Sequence, residues 1–212
     1  LVKVAIEDPA KMVRDAALER LTKPALLMQV AKTAQDYNTR EDAICRISDQ
    51  SILSDIVRCA EDWGDRIVAV RRIDEQATLA RIAIENEDSS VRREAFLRLN
   101  EPAVLMSFAK SKNVYPSDTY EKEVFGIRTT VSMRLEAIKN MKDLSSLVDV
   151  AKNASEPHVR KGVIYEINDQ SILKELLDSE QDHEVRSAIV YRLLDDGLLA
   201  NLALSEKNDV VR

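Results

Sequence analysis

The sequence predicts an all-α protein, a right-handed α-solenoid of about seven 26-residue two-helix repeats with one 16-residue insertion. The first observation is a row of arginines spaced 26 residues apart, with one interval of 42. The second is a row of leucines with the same spacing, from Leu1 and Leu27 to Leu199. Two unrelated side chains that share one period along a chain indicate a tandem array, and such periods are typical of solenoids.

The repeats divide a single predicted domain, 1–212. After a half repeat at 1–12, they begin near residues 13, 39, 65, 91, 133, 159 and 185. The interval of 42 is 26 plus 16, which places an insertion at about 112–127 within the fourth repeat. The chain starts and stops within the pattern, and neither end carries the polar outer face of a capping repeat. We therefore expect a fragment of a longer array.

Each repeat opens with a predicted amphipathic helix. In the fourth repeat Val91, Ala95, Phe96 and Leu99 stand at offsets 0, +4, +5 and +8, which places them on one helical face. Other repeats keep these offsets, with a small Ala at the second one, and a small residue there lets a neighbouring helix approach closely. This face is the predicted contact between repeats.

A polar break and a second short helix complete the repeat. Breaks such as Ser48-Asp-Gln50 and Asn100-Glu-Pro102 supply helix-capping residues and a proline for a first turn. Leu105, Phe108 and Ala109 follow at offsets 0, +3 and +4, and the polar Ser111 at +6 favours an α-helix over a 3₁₀ helix. Helices of roughly 8–10 residues are too short to persist alone, so burial between successive repeats must stabilise them.

The pattern Val-Arg-x-x-Ala-x-x-Arg-Leu, a polar turn, Leu-x-x-Leu-Ala and an acidic turn resembles the short HEAT-like repeats. It is especially similar to the bacterial leucine-rich repeat variant, and Glu156-Pro-His-Val-Arg160 carries the junction clearly. The resemblance covers the chain outside the insertion and implies a binding surface rather than a particular activity. In that variant family the second helix is 3₁₀ and a cysteine cluster holds an iron–sulfur centre. Cys45 and Cys59 alone cannot supply four thiolates.

The 26-residue arginine row is interpreted as a structural ladder. Acidic residues often stand four positions before these arginines, as Asp36 and Asp62 do. Charge-assisted hydrogen bonds between the two would tie successive turns together. The ladder residues are Arg14, Arg40, Arg66, Arg92, Arg134, Arg160 and Arg186.

A second basic row follows six residues later and suggests a stripe along one side of the array. It contains Arg20, Arg46, Arg72 and Arg98, with Arg192 beyond the insertion. One reading is a solvated helix flank with local ion pairs, such as Glu94 with Arg98. The other is a stripe that binds an acidic peptide or a phosphate backbone.

The insertion supplies the other candidate binding residues. Tyr115, Tyr120 and Phe125 are three of the nine aromatic residues of the chain. Insertions in repeat proteins often mark a binding face, and aromatic residues are enriched at interface hot spots. Alternatively, the segment folds back to cover the edge between the fourth and fifth repeats.

No catalytic, metal or cofactor site is predicted. The four glycines have no phosphate-binding spacing, and no nucleophile with a base and an orienting group can be nominated. His158 and His183 occupy successive turns, where surface residues collect without binding metal. Cys45 and Cys59 are expected to be half-buried, and Trp63 is expected to pack within a loop.

Composition limits the class of protein further. A net charge of −6 argues against general affinity for nucleic acid or anionic membranes. Two cysteines indicate a reducing compartment, and the chain shows no signal peptide or apolar run of 18 residues, so a cytoplasmic location is expected.

Three functional hypotheses follow. The preferred one is a non-catalytic scaffold that binds another protein or peptide and needs no cofactor. The alternative is binding of a nucleic-acid backbone by the second arginine row. The third, a HEAT-like lyase or cofactor-handling protein, rests on the family resemblance alone.

Overall fold

The computed structural model describes residues 1–111, 119–124 and 127–197, and over 119–124 and 127–131 it describes the backbone alone. The chain divides into two compact units, Leu1–Leu99 and Asn100–Arg212. Their described parts are built almost entirely of short α-helices, which confirms the all-α prediction and the tandem helical character. The handedness, the number of repeats and the single domain stay predictions.

The first unit is described without a gap. From α2 onward, its helices begin alternately at 11, 37, 63 and 89 and at 24, 50 and 76, so each series has the predicted spacing of 26. We call the first series, with its counterparts in the second unit, the first helices, and the other series the second helices. The elements are α1 (Val2–Glu7), α2 (Lys11–Glu19), α3 (Pro24–Thr33), α4 (Tyr37–Cys45), α5 (Gln50–Cys59), α6 (Trp63–Arg72), α7 (Gln76–Glu85) and α8 (Ser89–Leu97).

The second unit keeps the same alternation on both sides of two strands. Its first helices are α10, α12 and α14, and its second helices are α9, α11 and α13. The elements are α9 (Pro102–Lys110), β1 (Thr119–Val124), β2 (Ile127–Ser132), α10 (Met133–Asn140), α11 (Leu144–Asn153), α12 (Pro157–Ile164), α13 (Gln170–Ser179) and α14 (His183–Arg192).

Aspartate side chains begin many of these helices. The carboxylate of Asp62, for example, accepts hydrogen bonds from the amides of Gly64 and Asp65 at 2.7 and 3.4 Å. Such bonds satisfy amides that the first turn leaves without a partner. Where no side chain caps the helix, proline can occupy the first position, as Pro24 and Pro102 do. The second helices are α-helices, as the polar +6 position predicted.

The core lies between successive helices within each unit. In the first unit α6 packs against α5 and α4, and α8 packs against α7 and α6. Alanines of the second slot, such as Ala43 and Ala69, are fully buried and allow this approach. Leu1 is exposed, Leu199 lies outside the described residues, and the other matched leucines are buried: Leu27, Leu53, Leu79, Leu105, Leu147 and Leu173.

The strands form an antiparallel hairpin in which Thr119 pairs with Ser132 and Val124 with Ile127. The insertion was placed at about 112–127, whereas the hairpin extends to Ser132, the residue that caps α10. The regular units before and after it are helical where the structure describes them. No helix within the described ranges has the length and apolarity needed to cross a membrane.

Candidate binding surface and the arginine ladder

The ladder arginines of the first unit, together with Arg160 and Arg186, cap the helix that precedes them. Arg40 occupies the fourth position of α4, and its Nη1 donates to the carbonyl oxygens of Ala34 and Gln35, at 3.3 and 3.0 Å, just beyond α3. Carbonyls at a helix C-terminus lack partners within the helix and carry partial negative charge, so a guanidinium suits them. Arg14, Arg66, Arg92 and Arg160 repeat this pattern, and Arg186 reaches the carbonyls of Leu177 and Glu180.

The same guanidinium groups also reach forward to the next repeat. Nη2 of Arg66 lies 2.9 Å from Oδ2 of Asp88, the residue that caps α8. Arg14 with Asp36, Arg40 with Asp62 and Arg134 with Glu156 form matching pairs at 3.4, 3.5 and 3.0 Å. Arg160 pairs instead with Glu180, at 2.8 Å. Arg40 and Arg66 therefore each connect a second helix, their own first helix and the next first helix.

The second arginine row also makes contacts between repeats. Nη2 of Arg46 donates to the carbonyl of Glu19 at 2.8 Å, and Nη2 of Arg98 donates to that of Ile73 at 3.1 Å. Arg192 reaches the carbonyl of Ile167 at 3.2 Å. Arg20, directly after α2, and Arg72, the last residue of α6, are exposed. Part of the proposed stripe is thus used to bridge the backbone of the preceding repeat.

Glutamines at the start of second helices form a third bridge that the sequence analysis missed. The Oε1 atom of Gln50 accepts from the amide of Asp74 at 2.9 Å, and its Nε2 donates to the carbonyl of Arg72 at 3.4 Å. Gln170 does the same with Leu194 and Arg192. Recurrence of glutamine at 50, 76 and 170 follows the repeat and could have revealed it.

The insertion aromatics contribute little to a described site. Tyr115 and Phe125 lie outside the described residues. Tyr120 belongs to β1, where its Cα pairs with that of Val131 and only the backbone is described. Their proposed role in binding stays a prediction.

Exposed aromatic residues mark the first helices of the first unit. Tyr37 and Trp63 are the first residues of α4 and α6, 26 positions apart, and they are 40% and 62% exposed. A Cβ atom on Gly64 would stand 3.1 Å from Cε2 of Tyr37, so the tyrosine ring lies against the next repeat beside Trp63. The guanidinium of Arg40 lies 5.7 Å from the centre of that ring. The expectation that Trp63 packs within a loop is wrong.

A second pair of exposed aromatic residues lies at the opposite, C-terminal end of first helices in the second unit. Tyr165, directly after α12, and Tyr191 on α14 are 26 positions apart and 47% and 82% exposed. They flank a shallow cleft of about 510 Å³ with Ser187 and Ala188. The four described aromatics that are exposed, Tyr37, Trp63, Tyr165 and Tyr191, therefore all lie on or directly after first helices.

The histidines and cysteines do not assemble a reactive centre in the described part of the chain. His158 lies 3.4 Å from Glu156 through Nδ1, and His183 borders the cleft between the tyrosines. No group of three His, Cys, Asp or Glu side chains in the described ranges is placed to hold a metal ion. Cys45 and Cys59 carry free thiols and are exposed, so the expectation that they are half-buried is wrong.

Comparisons with protein-family models, with curated proteins and with solved structures found no match to this chain.

Proposed function

We propose that this protein is a non-catalytic scaffold that binds another protein on the exposed side of its first helices. The observation that carries the proposal is the alignment of Tyr37 with Trp63 on consecutive first helices. Tyrosine and tryptophan dominate interface hot spots because each buries a large area with few rotatable bonds. A monomer gains little from leaving a tryptophan largely in water, whereas a partner gains from covering it.

The arginine ladder supports this assignment because it distinguishes side chains that hold the repeats together from side chains that stay exposed. Arg40 and Arg66 use their guanidinium groups within the repeat contacts, and Tyr37 and Trp63 stand beside them with their rings accessible. We further propose that the repeats continue as a right-handed α-solenoid of about seven units, fixed in register by these bridges. A cytoplasmic location is part of the proposal and fits the free thiols of Cys45 and Cys59.

Protein binding is favoured over nucleic-acid binding. A phosphate backbone needs arginines with free donors, yet Arg46 and Arg98 already donate to carbonyls of the preceding repeat. The net charge of −6 also opposes general attraction to phosphate.

The test is quantitative affinity capture with surface variants. The combined Tyr37→Ser and Trp63→Ser variant should lose most of the specific partner, whereas Leu144→Ser should keep it. Leu144 is a suitable control because it is 41% exposed at the start of α11, a second helix. Equal recovery with all three proteins would refute binding through this surface.

A further inference from the structure

Asp65 is a buried acid at a position that other repeats fill with uncharged residues. It stands in the first turn of α6 and is 4% exposed. An ionised carboxylate in such a place costs free energy unless charges and hydrogen bonds compensate it. Equivalent positions, at the 26-residue spacing or after the insertion, hold Val13, Thr39, Val91, Met133, Val159 and Val185.

The compensation of Asp65 is incomplete. Its Oδ2 accepts a hydrogen bond from Nε of Arg40 at 2.6 Å, whereas its Oδ1 is buried without a partner. Burial raises the pKa of Asp65, although the hydrogen bond and the charge of Arg40 oppose this effect. An acceptor left unsatisfied in this way is uncommon in folded proteins and calls for an explanation.

Asp65 borders a cleft of about 700 Å³ with two kinds of wall. Ala31, Ala34, Ile56 and Ala60 supply apolar surface, and Cys59 lies beside them. The charged lining residues are three acids and two bases, which leaves one net negative charge: Glu61, Asp62 and Asp65 against Lys32 and Arg40. The cleft thus combines apolar lining residues with charged ones whose sum is acidic.

The second unit contains a related cleft in which Glu180, from a different position, accepts the hydrogen bond from Nε of its ladder arginine. Ala151, Arg160 and Leu176 line it at the positions of Ala31, Arg40 and Ile56, each 120 residues further along the chain. Val185 takes the place of Asp65, and the volume is about 460 Å³. Both carboxylate oxygens of Glu180 are hydrogen-bonded, so this cleft is a control for the unsatisfied Oδ1 of Asp65.

The chemistry of this cleft selects a particular ligand class. The donors of Arg40 are engaged by Asp65, by the carbonyls of Ala34 and Gln35, and by Asp62 at 3.5 Å, which disfavours an anion. A guanidinium ligand prefers to bind both oxygens of a carboxylate, but Arg40 already occupies Oδ2 of Asp65. An ammonium ligand needs only one acceptor, so it fits better. We propose that the cleft beside Asp65 binds a primary ammonium group carried on an alkyl chain.

The alkyl chain would lie along the alanine and isoleucine walls while the ammonium donates to Oδ1 of Asp65. Long amines bury their methylene groups and keep the charged end at polar partners. Oδ1 is covered, so the proposal requires the carboxylate to turn about χ2, a broad torsion in aspartate, to present this oxygen to the ammonium. A free alkylamine or a lysine side chain of another protein satisfies this chemistry, independently of the proposed partner surface.

Titration with small amines tests the assignment. The probes are n-butylammonium, Nα-acetyl-lysine methylamide, Nα-acetyl-arginine methylamide and the neutral n-pentanol. Fluorescence of Trp63, the only tryptophan of the chain, reports near the cleft, and amide NMR shifts locate the site. Both ammonium probes should shift the amides of Ala34 and Ala60 more than those of Ala154 and Glu180, the equivalent residues of the second unit.

Variants of Asp65 complete the test. Asp65→Val installs the residue of other repeats and should weaken ammonium binding at least tenfold, and Asp65→Asn should weaken it too. Asp55→Asn, a change on exposed α5 surface outside the cleft, should leave binding unchanged. Tighter binding of the lysine derivative than of n-butylammonium would identify a protein side chain as the source, and the reverse a free amine.

Three results would overturn the proposal. They are equal binding of n-pentanol, undiminished ammonium binding by Asp65→Val, or equal shifts in the two equivalent clefts. The amide shifts of the wild-type protein keep the test decisive even if a variant fails to fold.

Discussion

Arg66 and Val91 stand in the same relation as Arg40 and Asp65, yet no hydrogen bond joins them. The partner of Nε in this part of the ladder lies 25 residues ahead: Thr39 for Arg14, at 3.1 Å, and Asp65 for Arg40. Val91 offers no acceptor, and Nε of Arg66 is buried without one. One side chain of the next repeat therefore decides whether the guanidinium is fully bonded.

Val91→Thr should stabilise the first unit by supplying that acceptor. A hydroxyl at the position of the Thr39 hydroxyl would accept from Nε of Arg66, and such a bond contributes about 1 kcal/mol. Urea denaturation measures the change in the free energy of unfolding. Val185→Thr is the matched control, because Nε of Arg160 already bonds Glu180 at 2.8 Å, so its buried hydroxyl should destabilise. An equal change in the free energy of unfolding in both variants would contradict the pairing of Arg66 with the residue 25 positions ahead.

Removal of Arg66 should destabilise the protein more than removal of an exposed arginine. Arg66→Met loses the bonds to two helix-ending carbonyls and to Asp88, and we expect a loss of about 2 kcal/mol. Arg58→Met should have almost no effect, because the Arg58 side chain is 74% exposed in its pair with Asp55. Combination with Asp88→Ser, which keeps a capping side chain, isolates the coupling between the two residues. Additive losses would show that the pair does not connect the repeats.

Periodicity predicted the helices well, because each feature that starts or buries a helix is local. The first and second helices were located correctly from the 26-residue period, the capping residues and the spacing of the apolar residues. Partners of long side chains were harder to predict. Glu94 was expected to pair with Arg98 on the same helix, but it pairs with Arg71 at 2.8 Å, and Arg98 contacts Asp74 instead. The rule for neighbours within one helix ignores the adjacent repeat, which lies equally close.

Trp63 shows the corresponding limit for the candidate surface. The Trp-Gly pair suggested a loop, yet Asp62 caps a helix that begins at Trp63 itself. At the first helical position the side chain lies at the edge of the repeat rather than in the core. Composition alone does not distinguish these two places, whereas the alignment of Tyr37 with Trp63 could have indicated a shared surface.

The glutamine bridge predicts a measurable loss on truncation. Gln50→Ala removes both contacts with the next repeat and leaves the amide of Asp74 without its acceptor. We expect a loss of about 1–2 kcal/mol in the free energy of unfolding. Gln29→Ala, an exposed change within α3, is the control and should be neutral. Equal stability of the two variants would show that the contacts of Gln50 with the next repeat do not stabilise the protein.

Asp65 and Asp88 predict opposite pH dependences of stability. Burial raises the pKa of Asp65. Burial alone would also raise the pKa of Asp88, but hydrogen bonds from Arg66 and from two amides outweigh it and lower the pKa. The contribution of Asp65 to stability therefore falls as pH rises above its unfolded pKa of about 3.9. The contribution of Asp88 is present above that value and is lost as pH falls through its lower folded pKa.

Unfolding of wild type, Asp65→Val and Asp88→Ser between about pH 3 and pH 7 checks both signs. The stability of wild type relative to Asp65→Val should decline toward neutral pH. The stability of wild type relative to Asp88→Ser should decline toward acidic pH. If the two differences in the free energy of unfolding changed in the same direction with pH, the predicted opposite pH dependences would be wrong.

Site-specific photo-cross-linking locates the partner surface that we propose on the first helices. A photoreactive phenylalanine analogue would replace Trp63 or Tyr191, and in control proteins Arg58 or Leu144 of second helices, in cells that produce the protein. We expect the same discrete cross-linked partner from position 63 and from position 191, and none from position 58 or 144. Cross-linking of that partner from the second helices alone would contradict this expectation.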